Sequence, residues 1–203
     1  MIADSAPRPV EAPRREDRER GLVVVLAMVA VMWLVEAVDV VAGDLDAGGI
    51  RPRDPEGLPG IVLSPFLHAG FGHLIGNTIP FLVLGIAIAL GGLVRVAMVT
   101  LIVAAVGGLG TWLTAPDGTI HIGASGLVFG FATYLIARGA YSRRGLHLAG
   151  GLLVLALYGT TLLFGLVPTP GVSWQGHLFG AVGGVVAARV LHRTRTAAPA
   201  RGA

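Results

Sequence analysis

Six apolar stretches govern what this chain can fold into, several of them approaching or exceeding the roughly 18 residues that mark a bilayer-crossing helix. They lie at about 22–42, 66–90, 93–113, 125–140, 146–167 and 174–192. With 54% hydrophobic and 13% charged residues among 203, and a mean hydropathy of +0.75, the chain has more apolar surface than a soluble core needs. The expectation is an all-α polytopic membrane protein with one compact domain over residues 22–192. A leader, 1–21, and a tail, 193–203, are polar, lack apolar periodicity and are expected to be disordered.

The leader contains "EAPRREDRER", which is too long and too mixed in charge for the start of a signal peptide, and no cleavage-like site follows. The absence of cysteine excludes disulfides and a thiol nucleophile. There is no lysine, so all fifteen basic residues are arginine. Thirteen of them fall in the leader, at Arg95, at Arg138, Arg143 and Arg144, or from Arg189 to Arg201. With six spans those segments share one side, which the positive-inside rule makes cytoplasmic, with both termini inside. The arginines thus answer to membrane topology, and a nucleic-acid partner is not expected. Arg51 and Arg53 lie in the remaining loop, 43–65, whose Gly- and Pro-rich composition places it at the outer interface.

Polar residues inside the spans are few: His68, His73 and Asn77 in "FLHAGFGHLIGNTIP", Ser125 in "GASG", and Gln175 and His177 in "SWQGHLFGAVGG". A polar group in hydrocarbon is costly unless it is paired or faces a cavity, so each is a functional candidate. Spans 2, 4 and 6 all run from outside to inside, and the polar residues sit near the start of each. Asn77, Ser125 and His177 are therefore expected at similar depth in the outer half of the membrane. About thirteen residues separate Ser125 from Arg138. That is roughly 20 Å of helix against a hydrocarbon core of about 30 Å. The fourth helix is thus expected to be short, starting below the outer surface, with "APDGTIHIGA" dipping in to meet it beside protein or water.

A serine hydroxyl becomes a nucleophile when an adjacent base takes its proton, and neutral histidine is the usual base. Ser125 with His177 makes a candidate dyad, since no Asp or Glu lies in the outer half of spans 2, 4 or 6 to complete a triad. The helix starting at Ser125 offers unpaired N–H groups, Ser125's own first among them, to an oxyanion. His73 and Asn77, at i and i+4, share a helix face and can add side-chain donors. Gly126 and Gly130 on span 4, and Gly176, Gly180 and Gly184 on span 6, are spaced for close helix approach.

Each motif taken alone is more often packing than chemistry; the conjunction of three at one depth carries the catalytic reading. His68, five residues before His73, is expected to make a structural hydrogen bond to loop backbone, and His121 to serve backbone in the re-entrant loop. Glu36 and Asp39 are expected at an interfacial position at the outer end of span 1. Several histidines at one depth also raise metal binding or an ion path, but no HExxH occurs and no carboxylate lies near Ser125, so neither a metal nor a cofactor is expected.

Through "HAGFGHLIGN", "GASG" and "GHLFG", in that order in spans 2, 4 and 6, the chain from about 22 to 192 resembles the rhomboid family of intramembrane serine proteases. The resemblance implies a six-transmembrane-helix bundle in a membrane, that of a bacterial cell being expected. It implies Ser125 as nucleophile and His177 as base, facing the outer side. His73 and Asn77 match the oxyanion-stabilising histidine and asparagine, Gly123 the first glycine of the family's GxSG, and His68 a structural histidine before the site. Many members carry a tyrosine one turn after the serine; here Phe129 stands there, keeping a ring face for His177 without the hydroxyl. The Trp-Arg pair common in the family's first loop is absent from "LPGIVLSPFLHAG". The implied substrates are single-span membrane proteins cleaved in or near their transmembrane segments, entering laterally between spans 2 and 5. The rival readings are a rhomboid-like protein that binds membrane clients without cutting them and, more remotely, a transporter. Oligomeric state is not legible.

Overall fold

The computed structural model describes residues 13–142 and 144–197. Among these it is all-helical, with seven α-helices and no strand: α1 (Arg15–Ala42), α2 (Gly60–Leu63), α3 (Phe71–Ala89), α4 (Leu93–Thr114), α5 (Ser125–Ser142), α6 (Gly145–Phe164) and α7 (Trp174–Ala197). Each of the six expected apolar stretches has one long helix at its place. Four of these, α1, α3, α4 and α6, are long and apolar enough to cross a membrane. The other two, α5 and α7, carry more polar and charged residues, among them Thr133, Arg138 and Arg189.

The first helix begins earlier than its apolar residues do. It starts at Arg15, so the end of the leader is helical where disorder is expected. Glu16 and Asp17 occupy its first turn, where carboxylates oppose the positive end of the helix dipole, and Arg15 Nε donates to Glu19 Oε1 at 2.7 Å. Asp17 also accepts from the Leu93 N–H at 3.2 Å, so the start of α1 caps the start of α4. At the other end α7 continues through Ala197, past the expected boundary at 192. The remainder of the expected disordered leader and tail, 1–12 and 198–203, lies outside the described residues.

The central element is α5. Leu127 to Ala132, Tyr134 and Leu135 are all buried, against α3, α4, α6 and α7. It runs 18 residues, to Ser142, slightly beyond the expected end at 140. Its approach to α7 is a contact of backbones. A Cβ on Gly180 would overlap the Gly126 carbonyl oxygen, and one on Gly184 would overlap that of Gly130. On the third side, a Cβ on Gly130 would strike Val103 of α4. Thr133 Oγ1 donates across this seam to the Ala181 carbonyl at 2.8 Å. Small residues at such a seam replace side-chain interdigitation by van der Waals contact between main chains, the packing available where lipid supplies no hydrophobic drive.

Long loops close one end of the bundle. Segment 43–65 packs onto α4, where Ile61 covers Gly108 and Trp112 Nε1 donates to the Asp54 carbonyl at 2.9 Å. An antiparallel bridge between Ile50 and His121 joins this segment to the loop that precedes α5, and the Gly123 N–H donates to the Ser64 carbonyl at 2.8 Å. These bonds satisfy the irregular backbone that leads into α5. By contrast α6 leans on the bundle through α5, and Gly151 is its one buried residue. Its outer face presents Leu146, Leu152, Leu153, Leu157, Leu163 and Phe164, as a helix facing lipid does.

Gly180→Ala is expected to lower the thermal midpoint in detergent by about 5–10 °C, because the added methyl collides with a carbonyl oxygen that helix geometry cannot move alone. Gly150→Ala, on the open face of α6, is expected to leave it unchanged or raise it slightly. Differential scanning fluorimetry of the two variants side by side checks both.

Candidate functional site

The glycine seam brings the first turns of α5 and α7 together, and with them Ser125 and His177. Ser125 Oγ lies 2.8 Å from His177 Nε2. His177 Nδ1 lies 2.8 Å from the carbonyl oxygen of Gly165, at the end of α6. A carbonyl only accepts, so Nδ1 carries the proton and Nε2 presents its lone pair to the serine hydroxyl. His177 is 8% exposed, and Phe129 stacks on the face of its imidazole with ring centroids 4.1 Å apart and planes inclined by 6°. Ring contact therefore sets the plane of the imidazole and the carbonyl sets its rotation. The hydroxyl that Phe129 lacks relative to tyrosine is not needed for either.

On α3, His73 and Asn77 face the loop that leads into Ser125. His73 Nδ1 accepts from the Ala69 N–H at 3.3 Å, which leaves the proton on Nε2, the nitrogen on the Gly123 side. Asn77 is buried, and its Nδ2 donates one hydrogen to the His73 carbonyl at 3.1 Å, leaving the second N–H for another acceptor. Gly123 has φ of +110°, and a Cβ there would sit 2.6 Å from His73 Cε1 and 2.8 Å from Nε2. Both the backbone angle and the space exclude a side chain. At the second residue of α5, Gly126 lets α7 approach: a Cβ on it would lie 3.3 Å from the Gly176 carbonyl oxygen.

His68 is 1% exposed, and its Nε2 accepts from the Ala124 N–H at 3.3 Å. That bond holds the peptide before Ser125 and leaves the N–H of Ser125 at the open first turn of α5. His121 lies in the same loop, and its role differs from the backbone support expected of its side chain. Its main chain makes the bridge to Ile50, while its ring bonds Thr119 Oγ1 at 2.8 Å through Nε2 and Ser173 Oγ at 2.7 Å through Nδ1. Burial pushes its pKa down, keeping it neutral for these bonds. Ser173 in turn caps α7, accepting from the Gly176 N–H at 3.3 Å. His121 thus ties the entry of α5 to the entry of α7. Glu36, at the outer end of its apolar run, is 1% exposed and accepts a backbone hydrogen bond from Gly70 in the loop before α3.

Sequence reading missed Gly165 and Ser173. A carbonyl acceptor is common to every residue type, so Gly165 leaves no chemical signal. Ser173 left one, a serine three residues before Gly176 at the start of an apolar run, the pattern of an N-cap. Beside Ser125 a cavity of about 50 Å³ is bordered by Ser64, Thr111, His121, Ser173 and Gly176, room for water with several polar partners. Among the described residues no group of three or more His, Asp or Glu is arranged to hold a metal ion.

The family model described as Rhomboid domain matches residues 55–194, which contain every residue of this site. An uncharacterized protein of Mycobacterium tuberculosis is 48% identical over 181 residues, 84% of this chain and 75% of the relative. One of Mycobacterium leprae is 46% identical over 181 residues, 84% and 71% of the two chains. The Bacillus subtilis protein named "Putative rhomboid protease YdcA" is 28% identical over 166 residues, covering 79% of this chain and 82% of its own.

Gly165→Ala tests the orienting carbonyl. The new Cβ would meet the tip of Phe129 and lie 3.1 Å from His177 Nδ1, displacing the stacked pair. Reaction of Ser125 with a fluorophosphonate is expected to slow by about 10²-fold, the scale of losing a positioned base, and gel-based labelling of the folded variant measures it.

Proposed function

The chain belongs to the rhomboid family of multi-pass membrane proteins, and on that premise we propose that it is an intramembrane serine endopeptidase acting through Ser125 and His177. The single observation that carries the reading is the chain of three groups, serine hydroxyl, imidazole and Gly165 carbonyl, joined by two 2.8 Å hydrogen bonds. In this reading all six long helices cross the bilayer, with both termini cytoplasmic and the site toward the outer side of a bacterial cell membrane.

The chemistry follows from the tautomer. As Ser125 Oγ attacks the scissile carbonyl carbon, its proton passes to His177 Nε2, and the imidazolium keeps Nδ1–H on the Gly165 carbonyl. The carbonyl dipole takes the orienting and charge-stabilising part that a carboxylate plays in a triad. Negative charge gathers on the substrate oxygen, where the Ser125 N–H, His73 Nε2–H and the second Nδ2–H of Asn77 serve as donors. Collapse breaks the C–N bond, and Nε2–H gives its proton to the leaving amine. Water from the cavity beside Ser125, deprotonated by the same nitrogen, then attacks the ester carbon; the C–Oγ bond breaks, Nε2–H returns its proton to Ser125 Oγ, and the acid leaves. A transmembrane helix must unwind to present its carbonyl, so single-span substrates with Gly or Pro near their outer end are the class this site suits. The weakly packed α6 is the element whose displacement opens a lateral path from the bilayer past α3.

In liposomes with a single-span reporter, wild type is expected to cut, and Ser125→Ala and His177→Ala to abolish cutting while remaining folded. His73→Ala and Asn77→Ala are expected to slow it by about 10- to 10³-fold each. Cutting that survives Ser125→Ala refutes the mechanism; reporter binding without cutting by wild type favours a non-catalytic client-binding protein.

A further inference from the structure

The end of the bundle opposite Ser125 carries a second cleft, where the first turn of α4, the last turns of α5, the start of α6 and the end of α7 converge. Arg95, Tyr134, Arg138, Tyr141, His147 and His192 line it, and among the described residues no carboxylate does. Arg95 Nη1 donates to the Tyr134 hydroxyl at 2.9 Å, and Tyr134 is 1% exposed. Having accepted that bond, Tyr134 keeps its own O–H for an acceptor that the described residues do not supply. The Nε of Arg95 is likewise buried without a protein partner. Asp17, which caps the nearby start of α4, makes no ion pair with Arg95 among the described residues.

The acceptors that the cleft does contain are already engaged. Arg138 Nη2 donates to His147 Nε2 at 2.7 Å, and His147 Nδ1 bonds Ser142 Oγ at 2.9 Å. What remains is the charge and spare N–H of Arg95 and the O–H of Tyr134, held partly out of water. Buried donors without acceptors are costly, and a guanidinium matched by no carboxylate draws an anion. Val94 and Leu146, the chain neighbours of Arg95 and His147, are exposed apolar residues, a surface that acyl chains can cover.

We propose that this cleft binds a phosphate-bearing anion, its source in the bilayer being the headgroup of an anionic phospholipid. Arg95 meets the phosphate oxygens at the mouth of the site, and Tyr134, 1% exposed, reaches them through a water, for which the cleft of about 20 Å³ has room; Arg138 lies at its rim. The proposal is independent of the Ser125 chemistry, since it concerns the other end of α5.

The test is the thermal midpoint of the full chain in neutral detergent, with phosphatidylglycerol, with phosphatidylcholine, or with inorganic phosphate. Saturating phosphatidylglycerol is expected to raise the midpoint by about 5–10 °C and phosphatidylcholine not to. Arg95→Gln is expected to lose most of that shift. Tyr134→Phe, which keeps the packed ring and removes the donor, provides the second reading should Arg95→Gln not fold. Equal shifts with the two lipids, or a phosphatidylglycerol shift retained in the folded variants, overturns the proposal. A shift with inorganic phosphate equal to that with phosphatidylglycerol overturns the lipid source and leaves a soluble anion in the same cleft.

Discussion

Everything at the site depends on how closely α5 and α7 approach. Ser125 and His177 each occupy the first turn of their helix, and neither side chain is long enough to span an ordinary helix–helix distance of 8–10 Å between axes unaided. Gly126, Gly130, Gly180 and Gly184 let main chain rest on main chain, with the Thr133 hydroxyl bridging the seam. The 2.8 Å contact between Oγ and Nε2 is therefore a property of the seam as much as of the two residues. Val103 of α4 closes on Gly130 from a third side and holds the pair in register.

The loops have a second task, which is to keep the polar groups of the site in defined protonation states. Three histidines each have one ring nitrogen committed to a main-chain partner: His177 to the Gly165 carbonyl, His73 to the Ala69 N–H, His68 to the Ala124 N–H. Fixing one nitrogen fixes the tautomer and so the role of the other. One of them faces the Ser125 hydroxyl, one faces Gly123, and one braces the peptide before Ser125.

Much of this was legible beforehand because membrane sequences are unusually constrained. The apolar runs place six helices within a few residues, and polar residues are so costly in hydrocarbon that Ser125, His73, Asn77 and His177 announce themselves. Where reading failed, the missing quantity was a tertiary one. Arg15–Arg20 look like part of a disordered leader until Asp17 is seen to cap α4. His121 looks like a brace for local backbone, yet its ring reaches Ser173 in another loop.

By itself the sequence determined the class of fold, the places of the six long helices and the set of polar residues available for chemistry, because hydropathy and spacing act locally along a chain. Only the tertiary structure decided which nitrogen of His177 faces Ser125, that a main-chain carbonyl at Gly165 orients it, and that Arg95 and Tyr134 meet across two helices with donors to spare. Hydrogen bonds between distant segments depend on distances of a few tenths of an ångström and on main-chain atoms that every residue shares. No pattern of side chains encodes those until the helices are packed.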